Sequence, residues 1–329
     1  MSLILLTLLL GGCNSPPQEA EKAEPVVLYS GRGESLVGEL LAEAEQATGI
    51  DIEVQYGDTA EMVTRLLAEG AESPADLILA QDSGHLGALS ARDLLSPLPI
   101  EILESVSKHF RDPAGNWVGT SGRLRVLVYN TQALSPETLP TSLSELADPK
   151  WKGKLGWAPT NSSFQAHVSA LRSTWGETET RQWLEAVRSN EPLRYPKNSP
   201  QVQAANDGAI EIGWVNHYYL HQKLTPEFQA ANWSFPQEND AGNLMMLAGA
   251  GVRNGSPRAE SAQRVIAWLL SEEAQQALAT EGYEYPTRPG VPTHPDVPPL
   301  SEISLSDVSQ DVLTDMAPTR TLLRDLGLL

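Results

Sequence analysis

Two adjacent tyrosines, Tyr218 and Tyr219, have the most distinctive potential chemistry in this sequence. In water a phenol loses its proton only near pH ~10, but a hard trivalent cation such as Fe(III) can displace the proton and bind the oxygen. On a regular strand the two rings would point to opposite faces, one of them into the core. At a turn or at the start of a helix both hydroxyls can converge. The pair alone leaves both arrangements open.

Arg32 is a second candidate, because it lies in a short glycine turn between a β-rich run and an amphipathic helix. The unpaired N–H groups and the dipole at the start of a helix favour an anion, and a guanidinium there would add charge and hydrogen-bond donors. An ordinary ion pair with a carboxylate is the alternative. The sequence around Arg32 does not distinguish the two.

The composition limits the possible partners. The chain has 329 residues, of which 41% are apolar and 20% charged, as is typical of a globular protein with a sizeable core. It has 23 basic and 42 acidic residues, and this net charge of −19 disfavours nucleic acid and anionic lipid surfaces as partners. The single cysteine excludes an internal disulfide framework and a zinc site made of several cysteines.

That cysteine, Cys13, follows an apolar run that ends in Leu10-Gly11-Gly12. The run is long enough for the apolar part of an export signal and too short to span a bilayer. It resembles a bacterial lipoprotein signal, which implies removal of residues 1–12, a lipid anchor on Cys13 as the only membrane contact, and a periplasmic or cell-surface location. No Lys or Arg precedes the run, so an uncleaved apolar tail is the alternative. Residues 13–25 are polar and proline-bearing, and we expect a tether.

Short β-rich runs alternate with amphipathic helical patterns after the tether. We expect strands at 26–29, 50–54 and 76–80, with intervening helices that end at Gly49 and Gly70. A second unit begins with a strand at 124–130, and a helix follows Ser256-Pro257. This alternation predicts an α/β fold with a parallel sheet covered by helices.

A family resemblance rests on three stretches that occur in order along the chain: Tyr29–Gly33, Pro74–Ala80 and Asn216–Tyr219. With them, nearly the whole body resembles the ferric-iron-binding proteins of bacterial ABC importers. The resemblance implies a type II periplasmic-binding-protein fold, in which two α/β lobes joined by two crossing strands close over a solute. The lobes would comprise residues 26–125 with 247–300, and residues 126–246 with 301–329. It further implies a monomer that binds Fe(III), partners an importer permease and catalyses no reaction.

In that family the two adjacent tyrosines are ligands of the ferric ion, which implies this role for Tyr218 and Tyr219. Other ligand positions differ here: Gly33-Glu34 stands where a His is common, Gln81 where a Glu is common, and Phe164 where some members have Tyr. Two phenolates alone do not complete an octahedral ferric site. The remaining candidate protein ligands are Glu34, Gln81 and Asp82.

Some members of the family complete the coordination with carbonate or phosphate. The resemblance implies that an anion would be held by Arg32, Arg123, Asn161, Ser162, Ser163, Asn198 and Asn216. Asp82 occupies a position where an amide is usual and would repel a doubly charged phosphate. We therefore expect carbonate.

Two other functions stay open on the sequence. Related families with this architecture carry phosphonates, sulfate and other small solutes, so an oxyanion held by Arg32 and residues 161–163 is one alternative. An exported enzyme is the other. The sequence lacks a Gly-x-Ser-x-Gly turn, a His-Glu-x-x-His pair and an identifiable pair of catalytic carboxylates, so we expect a binding protein.

Overall fold

The computed structural model of the protein describes residues 24–313 and 316–329. The predicted signal, the lipidation site at Cys13 and most of the predicted tether lie outside the described residues. Within the described ranges, no helix is long and apolar enough to cross a membrane.

The described chain alternates strands and helices from its first element onward. The strands are β1 (Val26–Ser30), β2 (Ile52–Tyr56), β3 (Leu77–Ala80), β4 (Val118–Asn130), β5 (Leu155–Trp157), β6 (Leu193–Arg194), β7 (Ile212–Asn216), β8 (Ala230–Trp233) and β9 (Met245–Val252). The α-helices are α1 (Glu34–Thr48), α2 (Thr59–Glu69), α3 (Ser83–Ser90), α4 (Ile100–Glu104), α5 (Ser162–Trp175), α6 (Glu177–Ser189), α7 (Asn198–Asn206), α8 (Tyr218–His221), α9 (Ala259–Leu269), α10 (Glu272–Gly282) and α11 (Ala317–Asp325).

The strands pair in the order β2-β1-β3-β9-β4-β7-β5-β6, with β8 also paired to β4. Strand β4 connects two halves of this arrangement. Its residues 118–124 pair with β9, whereas its residues 125–130 pair with β7 and β8. We call β1, β2, β3, β9 and residues 118–124 the first half, and β5 to β8 with residues 125–130 the second half. Each half includes the loops and helix starts that adjoin its strands, and the first half includes the segment after α10, which bridges to Gly122 through Tyr285. Because β4 and β9 run antiparallel to their neighbours, the sheet is mixed and not purely parallel as the alternation predicted.

The larger of two main cores covers the first half and extends into the second, where it includes Val126, Val128 and Val215, and the other core lies in the second half. All residues of β1 and β3 are buried, as expected for parallel strands covered by helices on both faces. The core of the second half is rich in aromatic rings, with Phe164 edge-on to both Trp157 and Trp214 at centroid distances of 5.8 and 4.9 Å. Helix α11 adds Leu322 and Leu323 to this second core, so the end of the chain packs on the second half.

Candidate metal centre

Tyr218 and Tyr219 are the first two residues of α8, a single helical turn directly after the buried strand β7. The backbone leaves the extended conformation at His217, where φ is −55° and ψ is −41°. The two rings therefore lie side by side, with centroids 4.4 Å apart and planes inclined by 36°. Of the two arrangements open on the sequence, the structure has the one at the start of a helix, which allows both phenols to face the same ligand.

The surroundings of the dyad keep at least one phenol protonated in the absence of a ligand. Burial raises the pKa of Tyr219, and the charge and hydrogen bond of Tyr218 raise it further. The positive charges of Arg123 and Arg125 act in the opposite direction. A cation that binds here must displace the proton, and both guanidiniums then stabilise the phenolate.

Arg125 is a functional candidate that the sequence reasoning missed. Its side chain is fully buried, and in the described part of the chain it donates to neutral oxygens, Oδ1 of Asn216 at 2.9 Å and the carbonyl of Trp214 at 3.0 Å. Burial lowers its pKa to about 9, although the charges of Tyr219 and Tyr218 raise it. The signal was the spacing Arg123-Leu124-Arg125, which places both guanidiniums on one face of β4.

Three of the predicted anion-binding residues are joined by hydrogen bonds in the second half. The Nδ2 of Asn216 donates to Oγ of Ser163 at 3.3 Å, and the N–H of Ser163 donates to Oδ1 of Asn161 at 3.0 Å. Asn161 thereby caps α5, and the start of that helix faces Asn216. Since Asn216 also accepts from Arg125, this set is connected to the strand that carries the arginines.

A small cavity of about 60 Å³ lies between the two halves. Ser162 and Ser163 line it from the second half, Gln81 and Asp82 from the first, and Arg123 from β4. In the described part of the chain, Nε of Arg123 is buried without a hydrogen-bond partner, while its Nη2 donates to the carbonyl of Gln81. The cavity is large enough for a small anion or a few waters. Arg123 connects the cavity to the dyad, because its charge also lowers the pKa of Tyr219.

The three candidate carboxylate and amide ligands differ in position. Gln81 and Asp82 line the cavity, and Asp82 caps α3 by accepting the N–H of His85 at 3.0 Å. Burial would raise the pKa of Asp82, but hydrogen bonds from His85 and the charge of Arg123 lower it, so it is ionised and already paired. Glu34 lies on the exposed first turn of α1 and is not one of the residues that line the cavity. Burial raises the pKa of Tyr56, and the charge of Glu34 raises it further.

Arg32 and Asn198 complete the residues predicted from the sequence. Arg32 is 1% exposed and donates to both oxygens of Glu284, at 2.8 and 2.9 Å, and to Oγ of Ser121 at 2.9 Å. The structure thus has the ion pair that the sequence left as the alternative, although it is buried. Asn198, the first residue of α7, is also buried, and both polar atoms of its amide are without a partner in the described part of the chain.

Histidine and acidic side chains do not form a conventional metal site within the part of the chain that the structure describes. Among residues 24–313 and 316–329, no group of three or more His, Cys, Asp or Glu side chains could hold a metal ion. His217, next to the dyad, is fixed by hydrogen bonds to the backbone, and burial lowers its pKa to about 4. Phe164 stands where some members of the resembled family have Tyr, and it is a fully buried core residue. The phenols are therefore the candidate metal ligands with the best placement.

Comparison with known proteins places the chain in a family. The family model of bacterial extracellular solute-binding proteins matches residues 72–311. The Fe(3+)-binding periplasmic protein of Serratia marcescens is 32% identical, over 88% of this chain and 87% of that protein. Iron uptake protein A1 of Synechocystis sp. is also 32% identical, over 97% and 93% of the two chains. Iron-bound HitA from Pseudomonas aeruginosa has a crystal structure that superposes with a TM-score of 0.83 at 30% identity, over 92% of this chain and 99% of that one.

These matches confirm the resemblance seen in the sequence and the type II periplasmic-binding-protein fold. They also agree with the expectation of a binding protein, since the matching proteins are solute-binding proteins. The chain belongs to the family of bacterial extracellular solute-binding proteins.

Proposed function

We propose that this chain is an extracytoplasmic receptor that binds ferric iron through Tyr218 and Tyr219, with carbonate as an additional ligand, and delivers the iron to an ABC importer. The observation that carries the proposal is the side-by-side placement of the two phenols next to two buried guanidiniums. The cargo is supported by the relatives, which include an Fe(3+)-binding periplasmic protein and an iron uptake protein.

The chemistry of binding is an exchange of protons for a metal ion. Fe(III) is a hard cation that prefers anionic oxygen, and each phenolate it binds releases one proton. Two phenolates in a half-buried site would repel each other without compensation. The charges of Arg123 and Arg125 supply that compensation, because both act on Tyr219 in the direction that favours the phenolate.

Carbonate is proposed to occupy the cavity that Arg123, Ser162 and Ser163 line. Its contacts would be the unpartnered Nε of Arg123 and the hydroxyls at the start of α5, with Asn161 and Asn216 holding that helix start in place. The unpartnered amide of Asn198 is a further candidate contact. Arg32 is not proposed to contact the carbonate, because Glu284 already balances its charge. Gln81 and Asp82 are the remaining candidate ligands, from the first half.

Iron is proposed to favour closure of two lobes, because the candidate ligands come from both halves of the molecule. The proposed lobes are residues 26–125 with 247–300, and residues 126–246 with 301–329. Two observations support these bounds: β4 changes its pairing partner between Leu124 and Arg125, and the N–H of Arg125 donates to the carbonyl of Leu244 at 2.9 Å, just before β9. Lipidation at Cys13 would keep the receptor at the membrane next to the importer.

The test is a titration of the apoprotein with ferric citrate, with and without added bicarbonate. We expect a visible ferric-phenolate absorption band, which Tyr219→Phe weakens and which Tyr56→Phe, a matched change on the first half, leaves intact. Elemental and bound-anion analysis of protein purified from its native compartment should find iron and carbonate. A wild-type protein that neither binds ferric ion nor develops the band would refute the proposal.

An oxyanion as the cargo is the second candidate. It is favoured by Nε of Arg123 and by the amide of Asn198, which have no hydrogen-bond partner within the described residues, and by the serines that line the cavity. The double variant Tyr218→Phe/Tyr219→Phe separates the two candidates. If the variant still binds phosphonate or sulfate as the wild type does, the anion is the cargo.

A further inference from the structure

We propose that His217 is a positioning residue, whose imidazole fixes the dyad against the crossing strand β4 and against Tyr283 of the first half, so that the two phenols converge on the metal. The inference rests on the proposed role of the dyad in ferric binding. His217 would not touch the metal. It would determine where the two oxygens lie relative to the opposite half of the molecule.

The imidazole of His217 is held at both nitrogens. Its ring is 2% exposed, Nδ1 accepts the backbone N–H of Leu124 at 3.1 Å, and Nε2 lies 2.6 Å from the carbonyl oxygen of Tyr283. A carbonyl oxygen only accepts, and an N–H only donates, so Nε2 carries the proton and Nδ1 does not. The ring therefore uses its one donor and its one acceptor on two different chain segments.

The backbone of His217 is held as well. Its N–H donates to the carbonyl of Leu124 at 3.0 Å, and its own carbonyl accepts from Nδ2 of Asn232 in β8 at 2.8 Å. The ring also packs against Tyr285, with centroids 4.7 Å apart, and meets the ring of Tyr218 edge-on at 5.7 Å. Few rotations of the first turn of α8 are compatible with this set of contacts.

The partners of His217 belong to the point where the two halves meet. Leu124 is the last residue of β4 that pairs with β9, and the next residue pairs with β7. Tyr283 follows α10 in a left-handed conformation, with φ of 55°, and leads into Glu284, the partner of Arg32. Tyr285 then forms a bridge with Gly122 of β4. His217 thus connects the dyad of the second half to the ion-paired and bridged segment of the first half.

This connection matters because metal binding is sensitive to small displacements of the ligands. A binding constellation has to be held within about 0.5 Å and 10–20° of its productive geometry. Groups that orient metal ligands are worth on the order of 10- to 100-fold in metal affinity, although they do not touch the metal. His217 is the residue directly before the dyad, so any change in its position passes to both tyrosines through the backbone.

Three variants of His217 separate its two hydrogen bonds. In His217→Asn the amide oxygen can replace Nδ1 and accept from Leu124, but the side chain is too short to reach Tyr283. In His217→Gln the amide nitrogen can replace Nε2 and donate to Tyr283. His217→Phe keeps a ring against Tyr285 and removes both bonds. His221→Phe is the matched control, because His221 lies at the other end of α8 and its ring is stacked on Tyr283 at 5.2 Å.

The readouts are ferric affinity by citrate competition, the wavelength of the ferric-phenolate band, and closure on iron binding by small-angle scattering. We expect His217→Phe to lose at least about tenfold in affinity and to shift the band, with His217→Gln recovering most of the loss and His221→Phe binding as the wild type does. A purely structural role would lower thermal stability and leave the band and the affinity of the folded protein unchanged, and that result would overturn the proposal.

The outcome also distinguishes this inference from the proposed function. If the wild type binds ferric ion and Tyr219→Phe does not, while every folded His217 variant binds normally, only the inference fails. If the wild type does not bind ferric ion, the proposed function fails first. Should His217→Phe not fold, the comparison of His217→Gln with His217→Asn decides: tighter binding by the glutamine variant supports the link to Tyr283, and equal affinity overturns it.

Discussion

Replacement of Arg125 by methionine should change the stability of the apoprotein and its affinity for iron in opposite directions. Burial lowers the pKa of Arg125 from 12.5 to about 9. At about 1.4 kcal/mol per tenfold change in an equilibrium, this shift corresponds to a cost on the order of 5 kcal/mol for the buried charge, even with the charges of Tyr219 and Tyr218 acting in its favour. Methionine removes this cost, because a well-packed apolar side chain often replaces a buried charge without loss.

The same substitution removes two hydrogen bonds, to Asn216 and to the carbonyl of Trp214. Oδ1 of Asn216 is then left without a donor, whereas the carbonyl of Trp214 keeps Nε2 of Gln201 at 3.4 Å. One unsatisfied acceptor costs on the order of 2 kcal/mol, so the net effect on the apoprotein is a gain of about 3 kcal/mol in the free energy of unfolding. The effect on iron has the opposite sign. A nearby cation lowers the pKa of an acidic group by about one unit or more, so the loss of Arg125 should weaken binding by about tenfold for each phenolate, or about 100-fold in total.

Urea unfolding of the apoprotein and citrate competition at the ferric-phenolate band measure the two effects separately. Arg253→Met is a matched control, because Arg253 is also a buried arginine that donates to carbonyls, among them that of Ala75 at 2.6 Å. The control should lose stability and keep its iron affinity. If Arg125→Met binds iron as tightly as the wild type, or if it loses stability and affinity together as an unfolding variant would, the reasoning is wrong.

Three further predictions concern protons and packing. Ferric affinity should fall about 100-fold per pH unit on acidification, because two phenol protons must leave. Citrate competition at several pH values should show that Tyr219→Phe reduces this dependence to about tenfold per pH unit. An equal pH dependence of the affinity in the variant and the wild type would contradict binding by both tyrosines. Burial and the charge of Arg125 hold the pKa of His167 well below 6.5, and its Nε2–H donates to the carbonyl of Ala241 at 2.6 Å. As pH falls through about 6.5, the unfolded chain therefore binds a proton that the native state does not, so the free energy of unfolding of the apoprotein should decrease. Urea unfolding at several pH values should show a smaller decrease for His167→Gln. Gly84→Ala should cost roughly 1–3 kcal/mol of stability and so lower the melting temperature, because a Cβ at Gly84 would lie 2.3 Å from the carbonyl oxygen of Leu313. Gly38→Ala is the control and should leave the melting temperature unchanged, because the nearest atom to its Cβ, at 3.3 Å, belongs to a flexible side chain.

The sequence predicted the elements whose pattern is local. The strands expected at 26–29 and 76–80 are β1 and β3, and the helix expected after Ser256-Pro257 is α9. Strand β4 was predicted only from Leu124, yet it begins at Val118. Residues 118–123 include Gly119 and Gly122, and glycine is depleted in strands, so it is pairing with β9 that extends this segment.

The same distinction applies to the candidate site. The dyad and the serines at the start of α5 could be identified from short motifs, because the chemistry and the neighbours are contiguous in sequence. Whether Arg32 faces an anion or a carboxylate could not be predicted, since its partner Glu284 is 252 residues away. Arg125 was missed because its spacing from Arg123 predicts a shared face of the strand but does not show that its side chain is buried and, among the described residues, donates to neutral oxygens.

The position of β9 in the sheet has a consequence for how the chain assembles during synthesis and export. β9 separates β3 from β4, so until Met245–Val252 has emerged, each of those earlier strands exposes an edge that can pair with another chain. The second half, by contrast, draws β5 to β8 from one contiguous stretch after β4. Because local contacts form faster than distant ones, the middle of the polypeptide should fold first and the N-terminal strands should wait for a late segment to complete them.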